Sequence, residues 1–368
     1  MTFHSQNIPC SLWNGLVGIP ATGCAGCIRA DRTARDGETM LRAAVVGMGW
    51  MGQLHAGIYH QHPGVDLVGL VEPDPAAEQP LRDRFGVPVH RDVEELLDRV
   101  DVVSVCTPDH LHPQTTIPFL RAGVRVLVEK PLATSSADAQ KILDARPDPH
   151  ALSVGHILRF DPRVVRAREL VRSGELGPLW HVDVWRDTTR TVAVRPSERT
   201  SVAWFLGIHD ADLVRFVTGL TAVRVSALGR AVLSAHADAV YATVRYDGDV
   251  IGSMENNWTL PDGRPNRALA GLRVVGEHGS VEIDLGHVDL LHATSDGAVN
   301  GDTRNWPSRA ATGVSNIRTE VEEFVRAAAE GAPAPVPGEE GLAAVRVVEM
   351  IHASLAADGA PVGAGDAR

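Results

Sequence analysis

Cysteine is scarce in this chain of 368 residues: there are four, and three of them (Cys10, Cys24, Cys27) fall within the first 39 positions. Only Cys106 belongs to the body of the sequence, so disulfides are excluded as its scaffold, and the usage fits a reducing, cytoplasmic setting. Cys24 and Cys27 have the spacing of a metal pair, but no second pair follows to complete four zinc ligands. No metal site is expected, and residues 1–39 read as a disordered extension with incidental thiols, with Met40 as an alternative start. No apolar run approaches the ~18 residues of a membrane span, and no basic segment precedes an apolar core as in a secretory signal. Positive charge is also short: 35 Lys and Arg against 46 Asp and Glu leave a formal net charge of −11. An acidic chain of this kind excludes nucleic acid as a partner, which rewards basic faces.

What is present is ordinary for a globular protein, with 44% hydrophobic and 22% charged residues, and the length suits two domains. From 40 to 155, short β-rich runs (41–47, 66–72, 87–90, 102–106, 125–129, 151–155) alternate with helical patterns near 50–61, 76–85, 91–99, 113–122 and 135–145. This alternation predicts an α/β domain with a parallel sheet covered on both faces. From 156 to 361 the rhythm changes to strands in succession, which predicts an α+β domain with a large, mostly antiparallel open sheet. Residues 286–315 read as loop and 362–368 as a tail.

The densest signal is Gly47-Met48-Gly49-Trp50-Met51-Gly52, which follows an apolar strand pattern and precedes a helical one. Twenty residues beyond Gly52, Glu72 ends a second apolar run. The spacing is that of a Rossmann dinucleotide-binding unit. Gly47 allows the tight turn, Gly49 lets a pyrophosphate approach the backbone, and Gly52 lets helix and strand pack closely. Glu72 at the tip of the second strand suits ribose hydroxyls and repels a 2′-phosphate, so NAD is expected over NADP.

Three further stretches fall at the ligand edge of such a sheet: Cys106-Thr107-Pro108-Asp109-His110-Leu111-His112, Val128-Glu129-Lys130-Pro131 and Gly207-Ile208-His209-Asp210-Ala211-Asp212. Together with the glycine turn, the run from Gly155-His156 to Asp161-Pro162 and the late Gly338-Glu339-Glu340-Gly341, they make residues 41–362 resemble the glucose–fructose oxidoreductase, inositol dehydrogenase and MocA family. The resemblance implies a Rossmann domain followed by a substrate-binding domain. It also implies hydride transfer between a nicotinamide and a secondary alcohol or ketone of a sugar, nucleotide sugar or cyclitol. By the same resemblance Lys130 and His209 are the catalytic pair. Thr107, Pro108, His112, Glu129 and Lys130 join Gly47 to Gly52 and Glu72 around the cofactor, and the Lys130–Pro131 peptide is cis.

One departure stands out. Many members carry an aspartate four residues before the histidine; here that position is Phe205, which neither orients an imidazole nor hydrogen-bonds a polyol. Asp210 or a substrate group is left to substitute, and two other classes stay open: a non-redox lyase or hydrolase using retained NAD, and a dinucleotide-binding regulator. The substrate pocket is expected between the domains, lined by His156, Arg159, Arg186, Trp185 and Asp210, with Arg159 alternatively paired to Asp161 or Asp183. Alternating apolar residues at Val223, Val225 and Ala227, and at Val240, Ala242, Val244 and Tyr246, predict an open sheet face that forms a homodimer or homotetramer.

Overall fold

A computed structural model describes residues 40–194, 196–264, 268–286, 291–294, 297–300 and 315–366. The expected extension, residues 1–39, lies outside the described residues. Ala43, Ala44, Val45 and Val46 of β1 (Leu41–Val46) are all buried, as an apolar run in the middle of a two-sided sheet must be. With β2 (Val65–Val71), β3 (Val89–His90), β4 (Val102–Val105), β5 (Arg125–Glu129) and β6 (Leu152–Gly155) it forms a parallel sheet in the order β3-β2-β1-β4-β5-β6. Strand order reverses between β1 and β4, and the crevice beyond their carboxyl ends is where ligands of such sheets sit. Four helices serve the sheet: α1 (Trp50–Gln61), α2 (Pro75–Phe85), α3 (His112–Arg121) and α4 (Ser136–Asp144). Their ends follow local chemistry. Asp74 caps α2 through Ala76 N, Pro75 takes the first turn, and Gly86 closes it with φ of 69°. The helix expected over 91–99 shrinks to a 3₁₀ turn, Val93–Leu96.

Beyond β6 come α5 (Pro162–Arg172), β7 (Leu179–Thr189) and α6 (Ile208–Thr218), then β8 (Ala222–Arg230), β9 (Ala239–Tyr246), β10 (Ile251–Leu260), β11 (Ala268–Gly276) and β12 (Ser280–Asp284). A two-stranded hairpin, β13 (Leu291–Thr294) and β14 (Gly297–Asn300), lies in the stretch read as loop. Two long helices follow, α7 (Asn316–Glu330) and α8 (Gly338–Ala356), and the short β15 (Val362–Gly363) pairs with β8 at positions read as tail. The second sheet runs β12-β11-β7-β10-β9-β8-β15; only β7 and β10 are parallel neighbours.

The prediction for this sheet's apolar series is corrected. Val225, Ala227, Val240, Ala242, Val244 and Tyr246 are all buried, packed within the molecule's own core, and α8 lies against β8, while Val223 is 39% exposed. Period-2 alternation marks an apolar face but does not say what covers it. The opposite face carries Leu228 (65% exposed), Tyr241 (56%) and Ile251 (53%).

The last two helices also reach back to the first sheet. α7 packs on α1, and α8 packs on α4 and β6. Small residues let α8 approach: a Cβ on Gly338 would lie 2.5 Å from Leu143 and 2.7 Å from Leu152, and one on Gly341 2.9 Å from Val154. Just before α8 the chain runs along β6, where Val154 N donates to Val336 O (3.0 Å) and Ser153 bridges Pro337. Among the described residues, no helix is long and apolar enough to cross a membrane.

Candidate active site

The glycine turn is dictated by close approach. Gly47 has φ of +84°, and a Cβ there would sit 2.8 Å from the Cys106 carbonyl; a Cβ on Gly52 would sit 1.9 Å from Gly47 O. At Gly49 a Cβ would meet nothing within 4 Å. Its place is the open mouth before the N-terminus of α1, a cradle that fits a pyrophosphate. Met48 is buried, Met51 half-buried and Trp50 40% exposed. Glu72 stands at the tip of β2, its carboxylate accepting from Met48 N (3.0 Å) and Asp74 N (3.1 Å). A carboxylate has about four acceptor sites, so two backbone bonds fix it and leave capacity for ribose hydroxyls. Nearby arginines are occupied: Arg82 pairs with Glu78 (3.1 Å), and Arg84 donates to Gln53 Oε1.

Two of the residues expected at the cofactor have their polar side-chain atoms engaged within the protein. His112 is buried, with Nδ1 2.7 Å from Pro131 O and Nε2 3.0 Å from Thr107 O. Burial lowers its pKa against those two carbonyls. Its ring is a strut between the loops after β4 and β5. Thr107 itself lies 3.2 Å, Oγ1 to Oγ1, from Thr115, and Pro108 precedes the turn Asp109–Leu111. Glu129 is 8% exposed and directs its carboxylate inward, 3.3 Å from His55 Nε2, while accepting from Lys130 N (3.2 Å). Gly155, beside it on β6, leaves the space: a Cβ would lie 3.3 Å from the Glu129 carboxyl.

The Lys130–Pro131 peptide is cis. Lys130 Nζ donates to Phe205 O (3.0 Å) and lies 4.6 Å from the centre of the Phe205 ring. Burial brings the Lys130 pKa down to about 8. Phe205 sits in a π-helical turn, Ala203–Gly207, that leads into α6; such a turn is frequent at functional sites. Gly207 is required there, since a Cβ would fall 2.5 Å from Asn256 Oδ1. His209, on the first turn of α6, has a buried Nδ1 without a hydrogen-bond partner. Burial first, then the charges of Lys130 and Arg186, holds its pKa well below the usual imidazole value. A neutral imidazole beside a poised ammonium is an arrangement that can take a proton while stabilising an oxyanion.

The pocket residues divide differently from expectation. Arg186 and Asp210 are partners: Asp210, fully buried, accepts from Arg186 at 2.9 and 2.7 Å and from Asn256 Nδ2 at 2.6 Å. Burial raises the Asp210 pKa against this pairing. Asp210 therefore faces the sheet rather than replacing the missing aspartate beside His209. Arg159, 8% exposed, is spent on Asp212 (2.6–3.0 Å) and Glu340 (2.9 Å), so it is a structural cation and not a pocket-lining one. Its expected partners are engaged elsewhere, Asp161 with Arg163 (2.6 Å) and Asp183 with Ser253 (2.6 Å). His156 is buried with neither ring nitrogen hydrogen-bonded, its Nδ1 3.7 Å from Asp212. Trp185 packs against Gly271, where a Cβ would come within 2.1 Å of its ring. Asn256 and Trp258 were not singled out in the sequence. They follow Met254 at period 2 on the buried face of β10, and Trp258 lies 6.0 Å from the Phe205 ring centre.

This crevice, with its glycine turn and fixed acid, Lys130 beyond the end of β5 and His209 on the first turn of α6, defines an NAD-binding oxidoreductase. Residues 41–156 match the family described as "Oxidoreductase family, NAD-binding Rossmann fold", and residues 164–282 match the GFO/IDH/MocA C-terminal domain. The chain belongs to the GFO/IDH/MocA family. It is 27% identical over 329 residues to inositol 2-dehydrogenase of Rhizobium meliloti (strain 1021), covering 86% of this chain and 97% of that protein. It is 30% identical over 260 residues to inositol 2-dehydrogenase of Rubrobacter xylanophilus, covering 68% and 73%. Among solved structures, GenD2 from gentamicin A biosynthesis, in complex with NAD, is 27% identical with a TM-score of 0.77, covering 88% and 96%.

Proposed function

We propose that this enzyme oxidises a secondary alcohol of a cyclitol or related sugar with NAD, or reduces the corresponding ketone, through Lys130 and His209. The observation that carries the proposal is the delivery of the Lys130 ammonium from the end of β5 onto the Phe205 carbonyl, four residues ahead of His209. NAD, when bound, supplies the hydride acceptor. Gly47 to Gly52 cradle its phosphates, and Glu72 holds its ribose and disfavours a 2′-phosphate. Neutral His209 takes the hydroxyl proton, and Lys130 stabilises the alkoxide as charge develops, an interaction stronger in the transition state than in the ground state. The dehydrogenase names of both relatives above support this reading over the non-redox and regulatory ones. The test is a panel of inositols, polyols and sugars read at the reduced-nicotinamide absorbance with NAD and NADP in parallel. Turnover with an inositol and a clear NAD preference are expected; no turnover on any ring polyol would overturn the proposal.

A homodimer or homotetramer in the cytoplasm completes the reading. Its interface is the exposed sheet face, where Leu228 of β8 stands directly opposite Tyr241 of β9.

A further inference from the structure

Beneath the active-site strand ends lies a buried polar group that the mechanism above does not use. Glu320, on α7, is 1% exposed, and neither of its carboxyl oxygens has a hydrogen-bond partner. Ligand atoms of Glu320, Glu129 and His55 all lie within 4.8 Å of one another. From His55 the network continues within the core: Nδ1 is 3.0 Å from Ser104 Oγ, which is 2.7 Å from Tyr59 OH, both residues fully buried. The groups whose charges bear on Glu320 are Glu129 at the end of β5 and Asp212 on α6; Tyr59 on α1 and Cys106 after β4 sense it in turn. Every one of these is acidic or neutral. The nearby cation, Lys130, points its ammonium away to Phe205 O. Glu129 also faces His55, Lys130 and His112, but Glu320 has no basic group bonded to it, and two ionised carboxylates this close in a dry interior repel strongly, so such a pair keeps a proton.

We propose that Glu129 and Glu320 hold one proton between them, and that Glu320 is thereby a positioning residue for Lys130. One proton balances the carboxyl pair: it bonds a Glu320 oxygen to a Glu129 oxygen, and a single negative charge remains on the pair beside Lys130. Glu129 is then gripped from two sides, by Glu320 and by His55. Because its other oxygen accepts from Lys130 N, the grip fixes the backbone that aims the ammonium.

The test has a spectroscopic arm that is independent of turnover and a kinetic arm that rests on the hydride-transfer reading above. Infrared difference spectra of the full-length wild type at pH 8 should show the carbonyl stretch of a protonated carboxylic acid, and Glu320→Gln should remove it. Absence of that band in the wild type overturns the proposal, as does a stoichiometric divalent ion in the purified protein that Glu320→Gln loses. In kinetics, Glu320→Gln, which supplies an N–H in place of the acid proton, should keep kcat within about twofold. Glu320→Leu should lower kcat about tenfold and move the alkaline pKa of the kcat profile, with KM for NAD unchanged. An unmoved pH profile in folded Glu320→Leu protein would show that Glu320 merely fills space.

Discussion

Lys130 and His209 have environments that lower both pKa values and so favour the uncharged form of each group. The Lys130 pKa falls to about 8 because burial opposes its charge, and His209 titrates well below its usual value for the same reason, reinforced by Lys130 and Arg186. If neutral His209 is the base and charged Lys130 the electrostatic stabiliser, kcat stays flat between about pH 6.5 and 7.5 and declines as Lys130 loses its proton near 8. Lys130→Met should lower kcat by about 10²–10³ and abolish that alkaline limb, while NAD affinity, measured by titration, is retained. Phe205→Asp addresses the missing acid. Placed beside Lys130 and one turn before His209, a carboxylate should raise the Lys130 pKa, shifting the alkaline limb upward, and turnover of ring polyols should be kept or increased. Both variants are read from the same kcat–pH profiles.

At the scale of single elements, β7 and α8 each carry a packing feature that can be measured. Asp187, near the end of β7, is 8% exposed and accepts from Asn257; burial, Glu255 and Asp210 push its pKa up to about 7 from the usual 3.8. The folded state thus binds this proton more tightly than the unfolded chain does. Its contribution to stability falls as pH rises from about 4 to 7, and the full cost is present above 7. Asp187→Asn should therefore raise Tm at pH 8, by about 2–4 °C for each kcal/mol relieved, and change it little at pH 4.5. In α8, Gly338→Val should cost about 1–3 kcal/mol by forcing Leu143 and Leu152 aside, visible as a lower denaturant midpoint at unchanged slope.

Most elements were legible in the sequence because they rest on local signals. Helix α7 has its apolar stripe and Ser315 cap, β1 its aliphatic run from Ala43 to Val46, and the turn after it three glycines with fixed duties. The side-chain partners were not. Nothing between Arg159 and Asp212 signals that they meet across 53 positions, and Asp210 reads as a pocket residue until Arg186 and Asn256 arrive from two adjacent strands. The same limit applied to Glu129 and His112, whose motif positions were plain but whose directions depend on His55 and Pro131.

For the whole molecule, the exposed sheet face offers the testable surface. Leu228 and Tyr241 are adjacent on it, and Ile251 lies opposite Arg245. If the proposed dimer or tetramer forms through this face, a Leu228→Glu, Tyr241→Glu double variant should scatter light as monomer at micromolar concentration, with the Rossmann half still binding NAD. A wild type that scatters only as monomer would count against the interface.

The strip of chain at 334–337 that hydrogen-bonds to β6 has a meaning for biosynthesis. It covers the outer strand of the nucleotide-binding sheet, yet it emerges more than 170 residues after that strand. Until it arrives, β6 presents open backbone to any passing strand, a known route to aggregation. The domain that begins first on the ribosome is therefore completed last, and a fragment ending at Gly155 should be insoluble unless the segment from Asn316 onward is supplied alongside it.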